Sequence, residues 1–234
     1  MKHVRKLGAP QDYITWCNLV RGKSNENYSC LQNPQKANLH RALLREQGWL
    51  CAYTMRRIEE SSSHIEHIKP EGICRAEAVG SDLNYANLVA CFPREGMERK
   101  YRYGAQWKDN WWQNDGVEFV SPLHPNCETR FRFYLDGSIQ AVRNHPAAVT
   151  TIRVLGLDHR SLAEDRKRVI VEFVYGPNGD NPMSPTQAQR AVRTICNPNA
   201  SRFHEFCVVI RDALCEHVRQ LRKLASRRRF GGRR

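Results

Sequence analysis

Hydrophobic positions recur at helical spacing in five stretches of this 234-residue chain. The first begins near Pro34, a residue type tolerated in a first helical turn, carries an apolar stripe of Leu39, Ala42 and Leu43, and ends at Gly48. The other four predicted helices cover residues 147–155, 161–175, 186–196 and 203–225. The last of these presents one broad apolar face, which amphipathic helices usually bury within their own protein rather than offer to a partner helix.

Strand-like patterns lie between these helices. Residues 49–58 predict a strand, residues 59–63 a polar turn, and residues 64–68 the returning strand. Asp82 is then positioned to cap a helix through residues 86–90. Two strands followed by a helix predict a compact ββα unit.

A second hairpin is predicted further along the chain. Phe131, Phe133 and Leu135 alternate with polar residues ahead of an Asp-Gly pair, which is typical of tight hairpin turns. Its apolar side chains point one way, so we expect this hairpin to be scaffold. Residues 176–185 are rich in Gly, Pro and Asn and predict a linker.

Chemistry is concentrated in residues 63–70, which read Ser-His-Ile-Glu-His-Ile-Lys-Pro. The Glu66 carboxylate can hold a hard divalent cation such as Mg²⁺ or Mn²⁺, and His67 can take a proton from water near neutral pH. Such a pair suits phosphodiester hydrolysis, in which the metal stabilises charge on the leaving oxygen. Adjacent strand residues point to opposite faces, so both can serve one ion only if the chain bends. The alternative is a polar strand end whose histidines are satisfied by hydrogen bonds.

The chain is strongly basic. Its 37 Lys and Arg against 24 Asp and Glu give a net charge of +13 and a pI near 9.6. This balance favours a polyanionic partner, nucleic acid before an anionic membrane. Residues 219–234 carry eight Lys or Arg and no acid. Their end, with Arg227, Arg228 and Arg229, is predicted to be a disordered basic tail that binds phosphates without reading sequence.

A second candidate for nucleic-acid contact lies within residues 95–108. Its cations are Arg99, Lys100, Arg102 and Lys108. They are interleaved with two tyrosines and with Trp107. Cations mixed with aromatic rings can bind phosphates and stack on bases. The alternative is a solvated basic loop that covers an aromatic core.

The nine cysteines are scattered, odd in number, and form no Cys-x-x-Cys pair. They fit a reducing cytoplasm better than a disulfide framework, and we expect no stoichiometric structural zinc. The basic first ten residues lack an apolar core, so no signal peptide is expected, and no apolar run approaches membrane-spanning length. No phosphate-binding glycine loop is visible, so any coupled ATPase would have to be another subunit.

An ordered set of motifs resembles the ββα-metal fold of HNH endonucleases. The set begins with Glu66-His67-x-x-Pro70 and continues with Asn87-Leu88. More narrowly, the chain is similar to the PtuB family, the HNH component of Septu anti-phage systems, which also occurs with some retrons. The segments that carry this narrower resemblance are Cys51-Ala52-Tyr53, residues 64–67, residues 87–91, Ser121-Pro122-Leu123, Arg130-Phe131 and residues 151–157.

The resemblance implies roles for individual residues. His67 would be the general base and Glu66 a metal ligand. Asn87 would hold the loop and orient the base, and His64 would be a further ligand or the partner of one. Without the resemblance, Asn87 would be interpreted as a helix cap or turn residue and His64 as a structural histidine.

The last ligand and the zinc site depart from the family pattern. HNH enzymes usually present a final ligand near the end of the helix, where Asp109 and Asn110 are the nearest candidates; both could equally be solvent-facing loop residues. Many relatives also clamp the ββα unit with zinc-binding cysteines. Here Thr54 stands three residues after Cys51, where a cysteine is expected, Cys91 has no near partner, and Tyr103 stands at the expected later cysteine position.

The sequence therefore predicts an α+β fold, with a ββα-metal HNH nuclease core, additional mainly helical elements and a basic C-terminal tail. The predicted divisions are an N-terminal helical segment (1–48), the nuclease domain (49–175), a C-terminal helical region (186–226) and the tail (227–234). The predicted activity is metal-dependent hydrolysis of DNA or of structured RNA such as tRNA.

The resemblance further implies an effector of a bacterial anti-phage complex in the cytoplasm, with no membrane. Its expected partners are a PtuA-type ATPase and, in a retron context, a reverse transcriptase and msDNA. The alternative, from another functional class, is a catalytically inert nucleic-acid-binding adaptor with a degenerate ββα unit.

Overall fold

Helices and two small antiparallel sheets make up the chain in the computed structural model, which describes residues 1–94, 96 and 101–231, without the side chains of residues 225 and 227–231. The helices are α1 (Gln11–Val20), α2 (Gln35–Glu46), α3 (Glu71–Glu77), α4 (Ala105–Lys108), α5 (Pro146–Val154), α6 (Arg160–Tyr175), α7 (Pro185–Thr194) and α8 (Cys207–Gly231). The strands are β1 (His64–His67), β2 (Leu88–Cys91), β3 (Phe131–Phe133) and β4 (Ile139–Ala141). This mixture is the α+β class that the sequence predicts.

The five helices predicted from periodicity are present as α2, α5, α6, α7 and α8. In α2, which follows Pro34, Leu39, Leu43 and Leu44 are buried at the spacing of one helical face. At the start of α7, the Ser184 hydroxyl and the Gln187 side chain cap each other's backbone N–H groups. Local sequence signals thus fix both the faces and the ends of these helices.

The long helix α8 buries only part of its apolar face. Ile210 and Leu214 are fully buried, whereas Leu224 is 53% exposed. The expectation that α8 buries its apolar face within this protein is therefore confirmed for the first half of the helix. Residues 227–231, which the sequence assigns to a disordered tail, continue α8 in the structure.

The first hairpin differs from its prediction. β1 pairs with β2, in the register His64↔Cys91 and His67↔Leu88. The helix predicted through residues 86–90 is wrong, because Leu88–Cys91 is a strand buried at all four positions. Residues 49–58 form turns with one isolated bridge, Leu50↔Arg57, instead of a strand. Two strands are still followed by a helix, the four-residue α4, and the ββα-metal core stays a prediction.

The second hairpin confirms its prediction. β3 pairs with β4 in the register Phe131↔Ala141 and Phe133↔Ile139, and both phenylalanines are buried. The turn lies against α6 so closely that a Cβ on Gly137 would stand 2.0 Å from the Ala163 carbonyl oxygen. Since Gly137 also has a φ of +82°, only glycine suits this contact.

Buried apolar side chains of the described residues form one cluster that extends from Met1 to Val218. α2 packs on β2, α5 on β4, and α6 and α7 on α8, so the cluster links both hairpins. The predicted domain boundaries stay predictions. Within the described part of the chain, no helix combines the length and apolarity needed to cross a membrane.

Candidate catalytic site

The strand β1 carries the histidines and the glutamate that the sequence singles out. Because successive side chains on a strand alternate between faces, His64 and Glu66 lie on one face of β1 and His67 on the other. Their contacts follow this division. His64 Nε2 lies 3.6 Å from Glu66 Oε2, whereas His67 is directed toward Tyr28 and Asp82.

Glu66 is held as a carboxylate by the groups around it. Lys108 Nζ lies 3.2 Å from Oε1, and the Tyr53 hydroxyl lies 3.4 Å from the same oxygen. Burial alone would raise the pKa of the Glu66 carboxyl, but the hydrogen bond to His64 and the charges of Lys108 and His64 together hold that pKa below its ordinary value. The side chain keeps 16% of its surface exposed, so one edge remains accessible.

The ring of His64 is oriented by the main chain. Its Nδ1 lies 2.5 Å from the Pro93 carbonyl oxygen, so Nδ1–H donates to that oxygen and Nε2 faces Glu66. Burial would lower the pKa of His64, yet the hydrogen bond and charge of Glu66 raise it. A histidine that donates one ring N–H to a carbonyl and presents the other nitrogen is arranged as metal-ligating histidines commonly are.

Lys108 occupies a position that differs from its prediction as a phosphate contact. It is 2% exposed, because α4 directs its side chain into the site. Besides Glu66, its ammonium lies 3.4 Å from the carbonyl oxygens of His67 and Asp109. A buried cation with these partners is not free to meet a phosphate in this arrangement. It neutralises Glu66 instead.

His67, the general base that the resemblance implies, is buried: 6% of the residue's surface is exposed. Nε2 lies 2.9 Å from the Asp82 carbonyl oxygen, and the ring meets that of Tyr28 edge-on at 4.6 Å. With Nε2–H donated to Asp82, the basic nitrogen is Nδ1.

Asn87 fastens the loop that follows β1. Its Oδ1 accepts from Lys69 N at 2.8 Å, and its Nδ2 donates to Lys69 O at 2.8 Å and lies 3.5 Å from Cys74 Sγ. The Asn87 carbonyl oxygen also accepts from Ile68 N at 2.9 Å. The oxygen and the nitrogen of the Asn87 side-chain amide therefore both bind the main chain of Lys69, two residues after His67. The loop-holding role that the resemblance implies for Asn87 stays a prediction.

Asp109 and Asn110 follow α4 immediately. The main-chain oxygen of Asp109 faces Lys108, and both side chains belong to exposed residues. Among the described residues, no group of three or more His, Cys, Asp or Glu side chains is placed to hold a metal ion. His64 and Glu66 are the predicted ligands that the structure brings together.

Two cysteines lie beneath His64. Cys91 is its register partner, and the buried thiols of Cys51 and Cys91 are in hydrogen-bonding contact. Burial would raise the pKa of Cys51, but hydrogen bonds from Cys91, Thr54 and the Phe92 N–H lower it to about 6, while the pKa of Cys91 lies well above its usual range. A two-thiol site falls short of the four ligands of structural zinc, and the expectation that zinc is absent stays a prediction.

One comparison with known proteins bears on this site. The chain is similar to the retron Vc95 putative HNH endonuclease of Vibrio cholerae serotype O1 biovar El Tor. The two are 28% identical over 134 residues, which is 55% of this chain and 62% of the relative, so the chain spans less than two thirds of the relative's length. No family model matches the chain. The likeness supports the predicted HNH endonuclease class; PtuB and Septu remain a resemblance.

The predicted nucleic-acid contacts are distributed unevenly. Arg99 and Lys100 lie outside the described residues. Arg102 is exposed beside Trp107. The backbone of Arg227, Arg228 and Arg229 lies in α8, and their side chains are not described. Sequence reasoning missed Lys108 as the partner of Glu66, because 42 residues separate them. It also missed the Asp82 carbonyl, since no side-chain signal marks a main-chain acceptor.

Proposed function

We propose that this chain is a metal-dependent HNH endonuclease that hydrolyses phosphodiester bonds in DNA or structured RNA. The observation that carries the proposal is the His64–Glu66 pair on one face of β1, followed in the strand by a histidine whose Nε2 is engaged by the Asp82 carbonyl oxygen, which leaves Nδ1 to accept a proton. The similarity to a retron putative HNH endonuclease supports the same class.

The donor chemistry of the pair fits a hard divalent ion. Mg²⁺ keeps several waters and is commonly held by one or two protein carboxylates together with substrate phosphates. Glu66 supplies the carboxylate and His64 an imidazole nitrogen 3.6 Å from it. When bound, such an ion would stabilise negative charge on the leaving 3′ oxygen. Asp109 and Asn110 are the candidates for a further ligand.

His67 is the proposed general base. Its Nε2–H is fixed on the Asp82 carbonyl oxygen, so Nδ1 is the nitrogen that accepts a proton from water. The imidazole ring also packs in an edge-to-face contact with the ring of Tyr28. Asn87 fixes the main chain at Lys69, two residues later, and so holds the strand end that carries the base.

Lys108 joins the two faces of β1. Its ammonium contacts the Glu66 carboxylate on one face and the main-chain oxygen of His67, the residue directed to the other. It therefore positions both residues relative to α4. The same contact favours a second candidate function: a cation that already neutralises Glu66 is what an inert nucleic-acid-binding adaptor would keep in place of a metal ion.

A cleavage assay separates the two candidates. The full-length protein is incubated with matched DNA and structured RNA in Mg²⁺, in Mn²⁺ and in chelator. We expect cleavage that requires the ion and leaves 3′-hydroxyl ends. Binding of both nucleic acids without cleavage in either ion would favour the adaptor, and cleavage that persists in chelator would contradict the metal-dependent assignment.

We also propose the biological setting that the resemblance implies: a cytoplasmic anti-phage effector that acts with a PtuA-type ATPase and, in a retron, with a reverse transcriptase and msDNA. The support is the retron named in the relative's description. The test is co-expression with the genes encoded next to this one, followed by purification of a complex. A chain that purifies alone and protects cells without its neighbours would contradict this setting.

A further inference from the structure

Trp107 leaves half of its surface open to solvent, although the next residue, Lys108, is buried against Glu66. Val149 on α5 is 49% exposed in the same place. Both line a cavity of about 490 Å³ between α4, α5 and the turn after α5. That volume lies within the roughly 300–1,000 Å³ of small-ligand sites.

The indole ring is held in place rather than loosely exposed. Trp107 Nε1–H donates to the Arg153 carbonyl oxygen at 3.2 Å. At Gly156, which has a φ of +54°, an added Cβ would lie 3.2 Å from Trp107 Cδ1 and 2.3 Å from the Arg102 carbonyl oxygen. The absence of a side chain at Gly156 thus lets the segment before α4 rest directly on the turn. A ring fixed in this way loses little conformational entropy when a ligand stacks on it.

Charged and polar side chains line the same cavity as the ring. Arg102 and Arg153 are exposed and line the cavity, as do Asp158 and His159. The guanidinium groups suit phosphate oxygens. A carboxylate such as that of Asp158 can accept a hydrogen bond from the amino group of a base. The cavity therefore combines an aromatic surface for a base with cations for its phosphates.

We propose that this cavity binds one unpaired nucleotide of the strand that the enzyme cleaves, with its base stacked on Trp107 and its phosphates on Arg102 and Arg153. The inference rests on the proposed function for the identity of the polymer. A base within a duplex has both faces covered by its neighbours, so the subsite selects single-stranded or extruded nucleotides. Trp107 is followed in α4 by Lys108, the residue that contacts Glu66.

The test is a binding measurement in chelator, where no cleavage is needed. Full-length protein is titrated with a short oligothymidylate and with an oligonucleotide of equal length that lacks every base. Stacking on one aromatic ring predicts that Trp107→Ala binds oligothymidylate about 5- to 150-fold more weakly. Trp107→Phe should retain most of the affinity, and the abasic strand should bind wild type and both variants alike.

Equal losses for the two strands would overturn the stacking, since a base-independent loss means that Trp107 supports the fold or the phosphate path. No loss for either strand would overturn the subsite. A second readout follows tryptophan fluorescence: quenching at saturating oligothymidylate should be largest in wild type and reduced in Trp107→Phe. Thermal unfolding of each variant shows whether it is folded at the assay temperature.

The phosphate contacts have their own variant and control. Arg153→Gln should make the slope of log affinity against log salt shallower by about 0.7, the value for one phosphate on a single strand. Arg160→Gln makes the same change of charge on α6 at an exposed residue that pairs with Glu164 and does not line the cavity. Its slope should not change; equal effects of the two variants would overturn a specific contact at Arg153.

These arms fail separately from the proposed function. Base-dependent binding lost with Trp107, in a protein that cleaves nothing, would leave the subsite standing and the nuclease assignment contradicted. Cleavage by a protein whose binding does not depend on the bases would support the nuclease assignment and contradict the subsite.

Discussion

The two hairpins pair their strands in the same antiparallel way but distribute polar residues differently. In β3–β4, Phe131, Phe133 and Ile139 are buried, while Arg132 and Gln140 on the alternate strand positions are exposed. In β1–β2, the second strand is wholly buried and the first carries polar side chains on both faces. One hairpin is thus bound to the core by its side chains. The other hairpin is anchored in the core by β2, and its strand β1 carries the polar side chains of the candidate site.

The connections between the strands differ in the same sense. β3 and β4 are joined by five residues, 134–138, around Gly137. β1 and β2 are joined by twenty, 68–87, which include α3, the Asp82 carbonyl that orients His67 and the Asn87 amide that fastens the loop. The long connection supplies main-chain and side-chain contacts to the site, whereas the short one closes its hairpin and packs on α6. Substitutions in the first should therefore affect chemistry, and those in the second stability.

The largest effect is expected at His67. His67→Gln keeps a side-chain N–H that can reach the Asp82 carbonyl but removes the base, so the rate of metal-dependent cleavage should fall about 10²- to 10⁴-fold. Single-turnover cleavage measures this. His124→Gln, at an exposed histidine outside the site, is the control. Wild-type rates in pure His67→Gln protein would remove His67 from the mechanism.

In the scaffold hairpin, Phe133→Ala should lower the free energy of unfolding by about 3–5 kcal/mol, because it empties a buried aromatic site. Urea denaturation measures the loss, and cleavage per folded molecule should stay near the wild-type rate. Arg132→Ala, on the exposed face of the same strand, should change stability by less than about 0.5 kcal/mol. A Phe133→Ala protein that is fully stable but inactive would invert the comparison between the hairpins.

A smaller loss of stability is expected from the ion pair in the site hairpin. Glu66→Gln leaves the Lys108 ammonium buried without its countercharge, which should cost about 3 kcal/mol, the low end for such a pair because Glu66 is partly exposed. Adding Lys108→Met should restore most of that loss, and neither protein should cleave. The unfolding free energies of the single and double variants form a double-mutant cycle. Strictly additive changes would show that the pair does not couple.

Removal of residues 227–234 should have the smallest effect on either hairpin. These residues follow the buried part of α8, so thermal stability should barely change. Nucleic-acid affinity should fall most at low salt, and the salt slope should become shallower as fewer phosphates are neutralised. Single-turnover cleavage at saturating substrate should persist. An unchanged slope would assign the tail to something other than phosphate binding.

How far the sequence predicts this fold depends on the length of each pattern. α6 runs for sixteen residues and repeats its apolar face several times, so its spacing is decisive. Leu88–Cys91 offers four apolar residues in a row, a run that fits a buried strand and a buried helix equally well. Residues 49–58 contain strand-favouring side chains, but Trp49 and Met55 adopt positive φ, which propensity does not foresee.

In the candidate site, too, the sequence predicts what local residues determine and misses what tertiary packing determines. His64, Glu66 and His67 could be selected from the sequence because all three lie within four residues and carry the relevant chemistry. Their assignment to faces also follows from strand alternation. The contacts that set their protonation and orientation come from Lys108, Pro93 and Asp82, and the last two act through main-chain oxygens. Such contacts depend on tertiary packing and leave no trace in local sequence.

Under the proposed function, the Lys108 contact would set how much metal the protein needs. An ammonium tethered to α4 is present at Glu66 at the effective concentration of an intramolecular ligand, on the order of millimolar for short flexible links and greater where the helix is fixed. Under the proposed assignment, a divalent ion must compete with this internal cation before it meets the carboxylate. Without sufficient metal, or a substrate phosphate that draws Lys108 away, the Lys108 ammonium would occupy the Glu66 carboxylate and block metal binding. Under the same assignment, cleavage would stay off until a metal ion or a substrate phosphate displaced Lys108 from Glu66.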